Sequence, residues 1–253
     1  MNRLLLIIDP QNDFADKRGS LYVPGAQDAI ENICKFIDVR YIDDILISQD
    51  THQKFNIGFP DFWNIELKPF DKIKVDDIRN GIVKPVYLRP SWDKAFEKQF
   101  ESYRDPELTI WPYHCLEGSW GWCFPDSLID ALNDWNIHNP KHKKYEIYQK
   151  GNIPEIESYS ILTDYSFSGY VRKAEDRVES PKLLDNDYDQ IFVTGFCKDI
   201  CVAHSLRSLR RLNYFKDRLV ILDNCMATLD QNSPNLEIYD DLVKNFGAKI
   251  ENV

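Results

Sequence analysis

Short apolar runs that stop abruptly at a polar residue constrain this chain more than any other feature of its sequence. Arg3 to Asp9 (RLLLIID) is continuously apolar and ends in a carboxylate, the pattern of a strand buried on both faces of a parallel sheet. Asp44 to Gln49, Tyr145 to Gln149, Gln190 to Thr194 and Arg218 to Leu222 read as further strands, and Lys249 to Val253 adds an edge strand. Helical spacing of apolar residues lies between them, at Ala26 to Val39, Ser127 to Trp135, Cys201 to Leu212 and Leu236 to Phe246. This alternation predicts an α/β fold, a doubly wound parallel sheet of about six strands with helices on both faces. Residues 56–107 do not follow it. They are rich in Pro, Trp, Phe and charge, with one predicted helix at Ser91 to Tyr103. Within a single domain over 1–253 they read as an insertion acting as lid or interface.

Composition narrows the function classes. No apolar run approaches the roughly 20 residues of a membrane helix, and Leu4 to Ile8 is too short for a signal-peptide core. The expected location is cytoplasmic. A net charge of −10 without a basic stripe repels phosphate backbones, which argues against a nucleic-acid partner. The six cysteines form no CxxC pair, so free thiols are expected.

Ligands of open parallel sheets bind outside the carboxyl ends of the strands. Asp9 ends the first predicted strand, Asp50 and His52 follow the second, Lys150 ends the third, and Gly195 to Cys201 follow the fourth. An acid, an ammonium, a thiol and a candidate metal pair therefore converge on one edge. Cys201 opens a predicted helix, where the dipole favours thiolate, and a nearby Lys150 would favour it further. Position alone suits a small buried hydrophobe at least as well. Asp50 with His52 likewise fits an ordinary hydrogen bond. His204, one turn after Cys201, reads as a packing or surface residue, and His138 and His142 as solvated.

Several segments carry a resemblance. IIDPQNDF (Ile7 to Phe14), YQKG (Tyr148 to Gly151) and VTGFCKDICV (Val193 to Val202) are similar to the motifs of the isochorismatase-like cysteine hydrolase superfamily. DTH (Asp50 to His52), WPYHC (Trp111 to Cys115), GSWG (Gly118 to Gly121) and ESYS (Glu157 to Ser160) resemble segments of its nicotinamidase branch. The resemblance runs from residue 3 to 225, skipping the insertion. It implies an isochorismatase-like hydrolase fold and an amidase acting on nicotinamide or a related small aromatic amide, in a homo-oligomer. Asp9, Lys150 and Cys201 match its catalytic residues: Asp9 takes the thiol proton, Cys201 forms a thioester, and ammonia leaves. Backbone amides of Cys197 and Cys201 match the oxyanion hole, after a cis Phe196–Cys197 peptide. Phe14 and Trp111 match rings that sandwich the substrate. Asp50, His52 and His114 match ligands of a divalent ion, with Zn²⁺ first and Fe²⁺ or Mn²⁺ as alternatives.

Two departures stand out. Ile200 stands where nicotinamidases often carry tyrosine or histidine, and Phe55, Asn56 and Ile57 supply no fourth histidine ligand. Phe59, Trp63 and Trp92 of the insertion are further candidates to shape the pocket. The alternatives are a hydrolase of another carboxamide or carbamoyl compound, or a catalytically silent binding protein on the same fold.

Overall fold

The structure is a computed structural model that describes residues 1–39, 41–91, 93–102, 105–139, 144–162 and 187–253. Six parallel strands form one sheet: β1 (Arg3–Ile8), β2 (Asp44–Asp50), β5 (Glu146–Lys150), β6 (Gln190–Gly195), β7 (Leu219–Met226) and β8 (Lys249–Glu251), in the order β5-β2-β1-β6-β7-β8. Both faces of β1 are covered. Leu5 and Ile7 pack with α2 (Ala26–Val39) and α5 (Asp126–His138), while Leu4, Leu6 and Ile8 pack with α6 (Ala203–Arg210) and α7 (Glu237–Phe246). A strand buried on both sides has no reason to alternate with polar residues, which is why RLLLII is unbroken. The helices alternate instead: α2 buries Ala29, Ile30, Ile33, Phe36 and Ile37 along one stripe. The doubly wound α/β fold expected from the sequence is the fold observed.

The strand order reverses at β1, and the crevice at such a switch point is where open sheets hold ligands. Register does the positioning. Asp50 lies opposite Lys150 across β2 and β5, and Ile8 opposite Gly195 across β1 and β6. Four adjacent strands therefore release their functional residues side by side. Gly195 is at φ 118°, and a Cβ there would overlap the Ile8 backbone, so glycine lets the end of β6 close onto β1.

The segment between β2 and α5 carries more structure than its sequence suggests. A two-stranded antiparallel pair joins β3 (Lys72–Lys74) to β4 (Glu107–Thr109), and two helices, α3 (Val75–Arg79) and α4 (Asp93–Ser102), accompany it rather than one. Ile57, Phe62, Trp63, Ile73, Phe96, Phe100 and Leu108 are among the residues of its own apolar cluster. The pair was invisible in the sequence because each strand has three residues, and KIK exposes both lysines around one buried isoleucine.

Candidate active site

The edge holds a compact charge cluster. The Lys150 ammonium lies 2.9 Å from Asp9 Oδ2 and 3.1 Å from Asp50 Oδ1. It also donates to the Ser158 carbonyl at 3.2 Å and approaches Cys201 Sγ at 3.7 Å. Asp9 and Lys150 are both 0% exposed, and charges that deep persist only when paired. The chain turns sharply at Asp9, with φ at 46°, and its Oδ1 accepts from the Ser48 hydroxyl at 2.7 Å. Asp9 Oδ2 accepts no hydrogen bond other than its contact with the ammonium among the described residues, which leaves a lone pair open.

Burial raises the Asp9 carboxyl above its ordinary range, with the Lys150 ammonium opposing and Asp50 adding. For Asp50, burial pushes upward but His52 and Lys150 outweigh it and hold the carboxyl well below the usual value. Burial would strip the Lys150 proton, yet Asp50 and Asp9 keep its affinity for the proton well above normal. The Cys201 thiol corrects the sequence expectation. It lies inside a π-helical turn (Lys198–Val202) that precedes α6, instead of opening that helix. Burial pushes its pKa well up, Lys150 opposes, and Asp9 and Asp50 push further up. The resting group is a neutral thiol beside a carboxylate of raised basicity, the pairing that general-base activation needs.

Asp50, His52 and His114 also come together, with one ligand atom from each all within 4.8 Å of one another. Asp50 Oδ2 is 2.9 Å from His52 Nε2 and 3.4 Å from His114 Nε2. His114 Nδ1 donates to the Pro112 carbonyl at 2.8 Å, which assigns its free lone pair to Nε2. His52 Nδ1 is buried with no hydrogen-bond partner among the described residues. A carboxylate, an imidazole nitrogen free to coordinate and an orphaned buried nitrogen fit a divalent cation of zinc type. Gly151, at φ 75°, passes so close that a Cβ would crowd Asp50 and His52.

Asp50, His52, His114 and Cys201 line one cleft. Phe14 and Trp111 both face it, and the Phe196–Cys197 peptide beside it is cis. Cys197 and Cys201 line the floor, and the Cys197 amide has no hydrogen-bond partner among the described residues. Phe59 and Ile200 contribute apolar wall. Trp63 does not: its indole is buried in the insertion's cluster and donates to the Ile57 carbonyl. Trp92 and His142 lie outside the described residues. Glu157 and Tyr159 line the cleft although sequence reasoning assigned neither a role; their signal was the ESYS segment following Lys150. Glu157 is raised above its usual range by burial, against the opposing pull of His52.

His204 stands away from the thiol chemistry, its ring 5.0 Å from that of Tyr159. Burial pushes its pKa down to about 4. The unfolded chain therefore binds a proton that the folded chain does not as pH falls below the free histidine value near 6.5. Stability is full above that value and declines until the folded group also titrates. By about pH 5 the loss is on the order of 2 kcal/mol. His204→Phe is expected to remove that share of the acid sensitivity, read from urea unfolding at several pH values; parallel curves for both proteins count against it.

Scanned against known protein families, the chain matches no family model. It is 24% identical to the nicotinamidase of Saccharomyces cerevisiae over 216 residues, 84% of this chain and 83% of that protein. It is equally 24% identical to the Escherichia coli nicotinamidase over 227 residues, 88% of this chain and 82% of that protein. The solved structure of the yeast nicotinamidase bound to nicotinaldehyde superposes with a TM-score of 0.70, at 20% identity, covering 99% of this chain and 100% of that one. The chain shares the fold of this solved nicotinamidase structure. A Pyrococcus horikoshii pyrazinamidase in complex with zinc shares this nicotinamidase-like fold at a TM-score of 0.57 and 16% identity, over 100% of both chains. None of the described helices is long and apolar enough to cross a membrane.

Proposed function

We propose that this chain is an amidase that hydrolyses nicotinamide, or a closely related aromatic carboxamide, to the acid and ammonia through a thioester on Cys201. The observation that carries the proposal is the Lys150 ammonium, which touches the Asp9 carboxylate, the Asp50 carboxylate and the Cys201 sulfur at once. One buried cation thereby joins a nucleophile, its base and a metal-type donor set.

In this mechanism Asp9 Oδ2 takes the Cys201 proton and the sulfur attacks the amide carbon. The backbone amides of Cys197 and Cys201 receive the developing oxyanion, each donor being worth about 3 kcal/mol in comparable sites. Asp9 then protonates the departing amine, ammonia leaves, and water, deprotonated by the same carboxylate, hydrolyses the thioester. Lys150 holds Asp9 in place and offsets the negative charge that builds on carboxylate and sulfur. Phe14 and Trp111 grip a flat ring, aided by apolar Phe59 and Ile200. Asp50, His52 and His114 would hold a divalent ion, zinc in the first place, with iron or manganese as alternatives. Held by these three residues, such an ion would supply a Lewis-acid contact for a ring nitrogen of the substrate. Incubation with nicotinamide and an assay for ammonia tests the function; release no faster than from the Cys201→Ala protein removes nicotinamide as substrate.

The donor set gives a separate expectation. Protein purified without chelator is expected to carry about one divalent ion per chain, and His114→Ala, which deletes a direct donor, to lower metal affinity by more than the roughly 10–100-fold that losing an outer-shell partner costs. Elemental analysis of both proteins reads this directly; equal metal content after dialysis against a weak chelator counts against the site.

A further inference from the structure

The stretch from Gly151 to Ser160 has no regular secondary structure, yet it reaches the site at several points. The Ser158 carbonyl accepts from Lys150 Nζ, the Glu157 side chain faces the cleft, and Tyr159 Oη accepts from the Trp111 indole at 3.0 Å. Backbone this irregular needs anchors from outside, and the insertion supplies them. Arg89 meets the Glu155 carboxylate with both tines of its guanidinium, Nε to Oε1 and Nη2 to Oε2, each at 2.5 Å. The Glu155 side chain is only 2% exposed while that of Arg89 is 45% exposed, so the pair is anchored at its carboxylate end by burial and by its bidentate geometry. Gln99 of α4 accepts the Glu157 amide through Oε1 at 3.3 Å, and the Ile57 amide donates to the Pro154 carbonyl at 2.8 Å.

We infer that Arg89 and Gln99 are positioning residues: through Glu155 and the Glu157 backbone, the insertion clamps the stretch whose Ser158 carbonyl sets the Lys150 ammonium against Cys201. The insertion then acts on the chemical step through this stretch, which differs from a lid that acts on substrate entry. This rests on the amidase proposal for its turnover assay and on the structure alone for the rest. Arg89 lies 61 residues upstream of Lys150 in sequence, and a bidentate carboxylate grip is a geometry that lysine does not reproduce.

The test compares wild-type protein with Arg89→Ala, Arg89→Lys and the charge exchange Arg89→Glu with Glu155→Arg. Arg89→Ala is expected to lower kcat at least about tenfold with KM changed less than about twofold, because sub-ångström misplacement of reacting groups is costly while the cleft stays intact. Arg89→Lys is expected to fall between, and the charge exchange to restore kcat to within about threefold. A second readout needs no substrate: alkylation of Cys201 by iodoacetamide, located by peptide mass spectrometry, slows about fivefold in Arg89→Ala when the ammonium drifts from the sulfur. Should Arg89→Ala fail to fold, Glu155→Gln, which keeps the side chain's shape and loses its charge, carries the same two readouts. Unchanged kcat and labelling in a folded variant overturn the inference. So does a rise in KM alone, which is the behaviour of a lid, or a charge exchange that folds without restoring labelling. Failure of nicotinamide as a substrate of the wild-type protein strikes the amidase proposal only, since labelling still reports on the clamp.

Discussion

Replacing Cys201 by alanine is expected to lower kcat for nicotinamide hydrolysis by a factor on the order of 10⁴–10⁶, the range seen when a covalent nucleophile is deleted from an intact site. The reason is that nothing else at this edge can do its work. Cys197 shares the cleft, but its side chain is held neutral by burial, and no ammonium contact of the kind made by Cys201 is present at its sulfur among the described residues. Cys115 is wholly buried beneath the metal-type donors, and its thiol is likewise raised well above normal, first by burial. The substitution removes one sulfur from a position that is 7% exposed, so it leaves Asp9, Lys150 and the donor set in place. Substrate affinity and metal content should therefore stay near wild-type, which calorimetric titration with nicotinamide and elemental analysis record separately. Ammonia release within about tenfold of wild-type, with the same affinity, would assign the chemistry to some group other than this thiol.

How much of this was legible in the sequence depends on the length scale of each signal. The central strands β1, β2, β6 and β7 were visible because a strand buried on both faces is apolar nearly throughout, whereas the edge strands β5 and β8 are partly exposed and carry a weaker signal. The polar strand ends marked the site edge. Asp50 and Lys150 are paired by the register of β2 with β5, and Asp9 leaves the adjacent strand β1 beside them. The contacts of the insertion were not legible. Arg89 and Glu155 sit in irregular backbone 66 positions apart, where no periodicity links them. The ionisation of Cys201 was misjudged for a different reason. A helix dipole contributes a few tenths to about 1 kcal/mol, whereas full burial beside two carboxylates shifts a thiol in the other direction by more. Burial is a property of the packed molecule, and the local sequence around Cys201 does not encode it.

Replacing Lys150 by methionine is expected to cost about 3–5 kcal/mol of stability, the usual penalty for leaving a buried charge without its partner. Lys150 and Asp9 are both 0% exposed, and Asp50 is nearly so at 4%. Asp50 retains His52 and His114 when the ammonium goes, but among the described residues the Asp9 carboxylate retains only the Ser48 hydroxyl. The stranded group is therefore Asp9. That assignment makes the effect separable by a double-mutant cycle. In the Lys150→Met background, Asp9→Asn removes the unpaired charge and should recover at least about half of the lost stability, whereas Asp9→Asn alone destabilises because it strands the ammonium instead. Activity should not follow stability: both single variants and the double variant lack either the base or the cation that holds it, and each is expected to lose at least about 10²–10⁴ in kcat. Urea unfolding midpoints and ammonia release on the four proteins give the cycle. Additive losses, with no recovery in the double variant, would show that the two buried side chains are not partners, and would remove the ion pair on which the proposed proton transfer depends.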